Sequence, residues 1–237
     1  MDFSRLIEYF QHIYYFQLLM FFVDLVAIII GLVCVRKEIE GRLFIVYITF
    51  DFCILLIGWY FTIDRSNYVK SVTNFFNSTN ILVSYVELLV YFYYFRKILV
   101  GGNIKIILSG LTVFFSLLII IFITTKFSFI TTRYDYIAFI IGATEFVFLV
   151  IPSVYYFLQL FKINSSVRLT ERPSFWIVTG IFFYCIISIP FYVINVYLVK
   201  TNPNLNGILG AVFFYIPFII NILFLIKAFL CKKLLTI

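Results

Sequence analysis

Charge is what this sequence has least of. Only 12% of its 237 residues are Asp, Glu, Lys or Arg, while 64% are hydrophobic. A soluble domain carries about 25% charged residues, because its surface must face water. The deficit excludes a soluble enzyme, a nucleic-acid-binding domain and a disordered chain. Alternation of polar and apolar residues is also lacking. That excludes an outer-membrane barrel, whose strands read with a period of two. Histidine is almost missing. His12 is the sole one, so a zinc hydrolase that gathers several histidines is excluded. The four cysteines, Cys34, Cys53, Cys185 and Cys231, form no CxxC pair. No disulfide framework, metal site or bound cofactor is expected.

What is present is a series of long apolar runs. A helix needs about 20 apolar residues to cross the hydrocarbon, and seven such runs are bounded by charged or turn residues. They cover about Ile13–Val35, Leu43–Ile63, Phe76–Phe95, Ile106–Ile123, Tyr136–Phe161, Phe175–Val199 and Gly207–Phe229. The pattern predicts an all-α, polytopic bundle of seven transmembrane helices, forming one domain over residues 1–237. The opening MDFSRLIEYFQ has mixed charge and leads into a full-length span, unlike a cleavable signal peptide.

Net charge is +7. In a soluble chain this would suggest nucleic acid. Here the basic residues fall in short loops, where they set topology and meet anionic headgroups of the lipid bilayer. One side holds Arg36, Lys37, Arg42, Arg96, Lys97, Lys105, Lys162, Arg168, Arg172, Lys227, Lys232 and Lys233. The other holds Arg5, Arg65, Lys70, Lys126, Arg133 and Lys200. The positive-inside rule puts the richer side in the cytoplasm. The N-terminus is then outside, the C-terminus is cytoplasmic, and a bacterial inner membrane is the expected location. Loops this short hold no soluble output domain. The longest cytoplasmic one, KINSSVRLTERPS (Lys162–Ser174), is either a docking segment or a connector whose Pro173 starts the next helix.

Four carboxylates, Asp24, Asp51, Glu87 and Glu145, fall near the midpoints of the first, second, third and fifth runs. A charge at that depth costs about 2.5 to 3.5 kcal/mol, so four facing lipid would cost on the order of 10 kcal/mol. No Lys or Arg sits at matching depth. The acids are therefore protonated, hydrogen-bonded to polar neighbours, or holding a cation in a wet cavity. Helical spacing gives them company on one face. The third run aligns Asn80, Ser84, Glu87, Tyr91 and Tyr94, the first Gln17, Asp24 and Gly31, and the second Tyr47, Asp51 and Gly58. The fifth aligns Ala138, Gly142, Glu145, Pro152, Tyr156 and Gln159. The sixth offers Tyr184, Ser188 and Asn195, and the seventh Gly210, Pro217 and Asn221. The fourth has only Ser109, Thr112 and Ser116, and reads as a peripheral span. A ligand or ion cavity lined by Asp24, Asp51, Glu87, Glu145, Tyr91, Ser84, Asn195 and Asn221 is the expected site. Interhelical hydrogen bonding is the plainer role for the Ser, Thr and single Tyr residues. Pro152, Pro190 and Pro217 lie inside the last three runs, where each frees a carbonyl and can kink its helix.

Known seven-helix families fit poorly. Retinal proteins need a lysine in the middle of the last helix, and Lys227 is too near its end. Intramembrane aspartyl proteases carry GxGD, which is missing. Sugar transporters of the SWEET and PQ-loop type share an inert fourth helix, but their paired Pro-Gln motif is not here. Two stretches carry a resemblance: YVELLVYFYYFR (Tyr85–Arg96), and RPSFWIVTG (Arg172–Gly180) with Phe183-Tyr184. They resemble segments of small seven-helix membrane proteins of Bacteroidetes, which are similar to the membrane sensor portion of some histidine kinases. The resemblance implies a sensor and supplies no catalytic residue.

The expected function is a sensor or receptor-like protein, not an enzyme. Its acids would bind a proton, cation or small ligand, and a separate cytoplasmic signalling protein would read the response. The alternatives are a proton- or cation-coupled transporter of three-one-three layout and a structural subunit of a membrane complex.

Overall fold

The architecture comes from a computed structural model. It describes residues 3–35, 38–63, 69–126, 134–162, 169–201, 209 and 211–231, without the side chains of 3–15, 58–63, 69–81, 122–126, 134–140, 195–196, 199–200 and 211. The described residues fold into helices alone: α1 (Phe3–Cys34), α2 (Ile39–Ile63), α3 (Val69–Ile98), α4 (Gly102–Lys126), α5 (Tyr134–Lys162), α6 (Pro173–Thr201) and α7 (Ile216–Phe229). A π-helical turn, Ala211–Tyr215, leads into α7, and a 3-10 turn, Leu169–Glu171, precedes α6. Pro173 opens α6, as suits a residue whose missing N–H would have no helical partner there.

Five stretches are long and apolar enough to cross a membrane: Phe16–Cys34, Gly102–Ile121, Ile141–Lys162, Pro173–Ile194 and Val212–Phe229. The side chains follow the same logic from outside in. On α1 the exposed residues include Leu19, Phe22, Val26, Ile29 and Val33, a stripe at helical spacing. On α4 they include Ile106, Ile107, Val113, Phe114, Leu117, Ile120 and Ile121. The charged and polar residues Asp24, Asp51, Glu87, Glu145, Ser188 and Asn221 are buried instead. Apolar outside and acidic inside inverts the arrangement of a water-soluble protein. It marks a bundle whose solvent is lipid.

Helix packing forms a ring with one outlier. α1 packs on α2 and α7, α2 on α3, α3 on α5, α5 on α6, and α6 on α7. α4 lies outside the ring against α3 and α5, matching its poverty in polar residues. Contacts fix the directions. Phe21 stacks on Phe52, while Gly31 near the far end of α1 faces Ile45 near the start of α2, so the pair is antiparallel. α1 and α7 are parallel: Gln17 meets Tyr215 at one end, and Gly31 meets Phe229 at the other. Tyr156 with Ser174, and Gly142 with Tyr192, set α5 against α6 head to tail.

Several elements differ from the sequence expectation: the last α-helix starts at Ile216, after a π-helical turn, and not at Gly207. α1 begins at Phe3 and α3 at Val69, well before Ile13 and Phe76. Apolarity marks the stretch that suits hydrocarbon, whereas the backbone ladder continues wherever nothing breaks it. Arg172, expected as a loop charge facing water or headgroups, is 2% exposed. It is tucked beside Tyr156 beneath the start of α6.

Candidate functional site

Each acid reaches the interior because its helix exposes the opposite face to lipid. Asp24 is flanked by the exposed Phe22, Val26 and Ile29 and is itself 0% exposed. Asp51, Glu87 and Glu145 are 8%, 3% and 1% exposed, so none of the four faces lipid.

Together they form a row across four helices. Asp24 on α1 lies within electrostatic reach of Asp51 on α2, Asp51 of Glu87 on α3, and Glu87 of Glu145 on α5. Among the described residues, no basic side chain is an electrostatic neighbour of any of the four. A string of like charges without counter-charge cannot remain ionised throughout in a low dielectric. Protons or a bound cation must neutralise part of it.

Hydroxyls and rings fill the space around the row. Ser84, one turn before Glu87 on α3, hydrogen-bonds Glu145. Tyr47, one turn before Asp51 on α2, is fully buried beside Glu87 and Asp51. Its ring lies 5.9 Å from that of Tyr91. From α6, Tyr184, Cys185 and Tyr192 face Glu87 and Glu145. Phe146 packs edge-on against both tyrosines, at 5.0 Å and 5.2 Å.

Hydrogen-bond capacity is left over. Both carboxyl oxygens of Asp24 and one each of Asp51, Glu87 and Glu145 have no hydrogen-bond partner among the described residues. Buried polar groups are normally satisfied, so this concentration at one place is informative. No three His, Cys, Asp or Glu side chains among the described residues converge as metal ligands. The acids are strung out, not gathered round one point.

One side-chain bond links this row to the far side of the ring. Asn221 Nδ2 on α7 donates to Tyr91 Oη on α3 at 2.8 Å, both groups being buried. Tyr91 is one turn beyond Glu87, and Asn221 one turn beyond Pro217. Gly180 on α6 permits the approach, since a Cβ there would lie 2.8 Å from Asn221 Oδ1.

The expected residues thus fall into groups. Asp24, Asp51, Glu87, Glu145 and Ser84 come together, and Tyr91 and Asn221 pair beside them. The side chains of Asn195 and Asn80 lie outside those described, as do residues 163–168 of the Lys162–Ser174 segment. Sequence reasoning did not place Tyr47, Tyr184, Cys185 or Tyr192 in the site. Tyr47 carried a usable signal, four residues before Asp51 on the same face, and Tyr192 follows Ser188 by the same step.

A second polar cluster sits at the end of α5 and the start of α6. Tyr156 and Ser174 share a hydrogen bond of 2.8 Å near Arg172, and Trp176 Nε1 donates to the Thr170 carbonyl at 2.9 Å. These contacts fasten the 3-10 turn to α6.

No family model, no curated protein and no solved structure matches the chain.

Proposed function

We propose that this chain is a seven-helix membrane sensor, with its N-terminus outside and its C-terminus in the cytoplasm of a bacterial inner membrane. The acid row takes up a proton, cation or small ligand, and a separate cytoplasmic protein reads the result. The observation that carries this reading is the row Asp24–Asp51–Glu87–Glu145, without a basic neighbour among the described residues and buried inside a ring that is closed by α1 against α7. Ionisable groups held at such cost in a membrane interior mark sites of ion or ligand action.

The bundle also supports a route outward. A change in charge at Glu87 acts one turn away on Tyr91, whose hydroxyl holds Asn221. Asn221 sits on α7 just past Pro217 and the π-helical turn. That makes α7 the two-position element through which the site would bias its cytoplasmic end. The local resemblance to sensor portions of histidine kinases, carried by residues 85–96, 172–180 and 183–184, points the same way.

α4 favours a second reading. It lies outside the ring and bridges α3 and α5, the place of a linker in a coupled transporter of three-one-three layout. One comparison separates the two. Wild type and Glu87→Gln are purified in mild detergent from native membranes, and each is reconstituted into proteoliposomes. The sensor reading expects a stoichiometric cytoplasmic partner whose retention changes in Glu87→Gln, and no flux. Cation or proton flux that Glu87→Gln abolishes, with no partner, overturns it in favour of the transporter. A partner that is itself an integral membrane protein, lost on Glu87→Gln, would make the chain a structural subunit.

A further inference from the structure

Among the described residues, Arg172 is the only buried base. A guanidinium does not give up its proton in a protein, so a buried one needs a counter-charge close by. Of the chain's acids, only Glu38, Glu40 and Glu171 belong to the helix ends around it, and Glu171 is exposed. Glu40 is buried although Ile39 beside it is 59% exposed. The acid has turned inward where hydropathy alone would turn the isoleucine. Two phenols span the distance between base and acids. Arg172 is within electrostatic reach of Tyr156 at the end of α5, and Tyr94 at the end of α3 is within reach of Tyr156, Glu40 and Glu38. Both tyrosines are buried. The Tyr156 hydroxyl shares its 2.8 Å hydrogen bond with Ser174, and the Tyr94 ring stands edge-on to Phe44 of α2 at 5.2 Å.

Ring order gives this string of neighbours its meaning. Around the ring α1, α2, α3, α5, α6 and α7, α2 and α6 stand three places apart in either direction, on opposite sides. We infer that Arg172, just ahead of α6, and Glu38 with Glu40, at the head of α2, form a latch across the ring, joined through Tyr156 and Tyr94, that shuts the acid row off from this end. The inference deepens the sensor reading and rests on it only for making this end cytoplasmic. Depth separates the latch from the row. Tyr94 lies seven residues past Glu87, Tyr156 eleven past Glu145, and Glu40 eleven before Asp51, so about 10 to 17 Å lies between them. The Tyr91–Asn221 bond crosses the other diameter, from α3 to α7, between the two layers. Removing either charge leaves its partner buried alone. The survivor is then drawn toward water at the helix ends, and α2 and α6 part there.

The test reads Cys185, a buried thiol on α6 that faces Glu87 and Glu145. With Cys34→Ser, Cys53→Ser and Cys231→Ser it is the sole thiol of the full chain. A small charged methanethiosulfonate is added to sealed inside-out or right-side-out membrane vesicles, and the rate of modification is followed. Arg172→Gln, and Glu38→Gln with Glu40→Gln, should each speed modification from the cytoplasmic face tenfold or more and leave the rate from the outer face unchanged. Arg172→Lys, which keeps the charge, should stay close to the unsubstituted rate. Tyr94→Phe, which keeps the ring and its packing, should speed the reaction several-fold while folding normally. No acceleration in any of these variants overturns the latch. So does equal acceleration from both faces, which is the mark of general loosening. Acceleration confined to the outer face keeps the latch and reverses the orientation. Failure here and failure of the sensor reading are separable. Acceleration without any partner response to Glu87→Gln leaves the latch and sinks the sensor. A partner response with Cys185 unreactive in every variant does the reverse.

Discussion

Tyr91 shows how one residue serves both packing and linkage. Its ring lies 6.0 Å from Phe44 and 5.9 Å from Tyr47, and its hydroxyl holds Asn221. Hydrogen bonds between membrane helices are worth about 0.6 kcal/mol on average and at most about 1.7. Tyr91→Phe should therefore lower stability by roughly that amount in reversible unfolding from bicelles, while Asn221→Leu in the Tyr91→Phe background adds little. Substantial additivity of the two would break the pair. Gly180 gives a sharper case. A Cβ there would meet Asn221 Oδ1 at 2.8 Å and Phe224 Cβ at 3.0 Å, so Gly180→Leu must part α6 from α7 and should lower the unfolding midpoint more than Tyr91→Phe. Much at this scale could be read from spacing alone. A period of 3.6 placed Glu87, Tyr91 and Tyr94 on one face, and all three are buried. Which acid meets which was not readable. That depends on how far each helix slides along its neighbour, and apolar runs of similar length leave the register open. Arg172 was misjudged for a related reason, since nothing local tells a loop arginine that a tyrosine from another helix will cover it.

At the scale of the element, α7 carries the clearest local chemistry. A helix running through position 217 would draw an N–H onto the carbonyl of Phe213, and proline supplies none. Ser188 Oγ from α6 donates to that carbonyl instead, at 3.2 Å. The freed acceptor is thus satisfied by a neighbour, which is how proline is tolerated in membrane helices. Ser188→Ala should cost about 1 kcal/mol in the native background. It should cost much less in Pro217→Ala, where the backbone N–H returns to the same carbonyl. A double-mutant cycle measures the difference, and equal costs in both backgrounds would remove the serine from this role. The proline at 217 announced a freed carbonyl in the sequence. The π-helical turn before it, and the identity of the donor, required the packed bundle.

For the molecule as a whole, the inverted polarity and the alternating helix directions make a topological prediction. Cys231 lies just beyond α7 and is partly exposed, and Cys34 ends α1 at the same end of the bundle. A membrane-impermeant maleimide should modify Cys231 in inside-out vesicles and spare it in right-side-out ones. Cys185, buried in the core, should stay unlabelled in both until the protein is denatured. Labelling of Cys231 from the outside would reverse the orientation drawn from Lys and Arg. The seven helices and the peripheral place of α4 were foreseeable from apolar runs and from the poverty of polar residues in the fourth. The ring order was not, because it depends on α3 meeting α5 past α4, a contact with no local mark.

That ring closes between its first and last members, α1 and α7, and this bears on the order of assembly. During synthesis α1 enters the bilayer long before α7 exists, so the flank that α7 will cover must meet lipid or an insertion factor. Tyr215, the partner of Gln17, has not yet been made, and Tyr91 waits for Asn221. Folding is therefore gated from the C-terminal end. A ribosome stalled before α7 leaves a six-helix arc with its acid row already assembled and one side open, a natural substrate for membrane quality control.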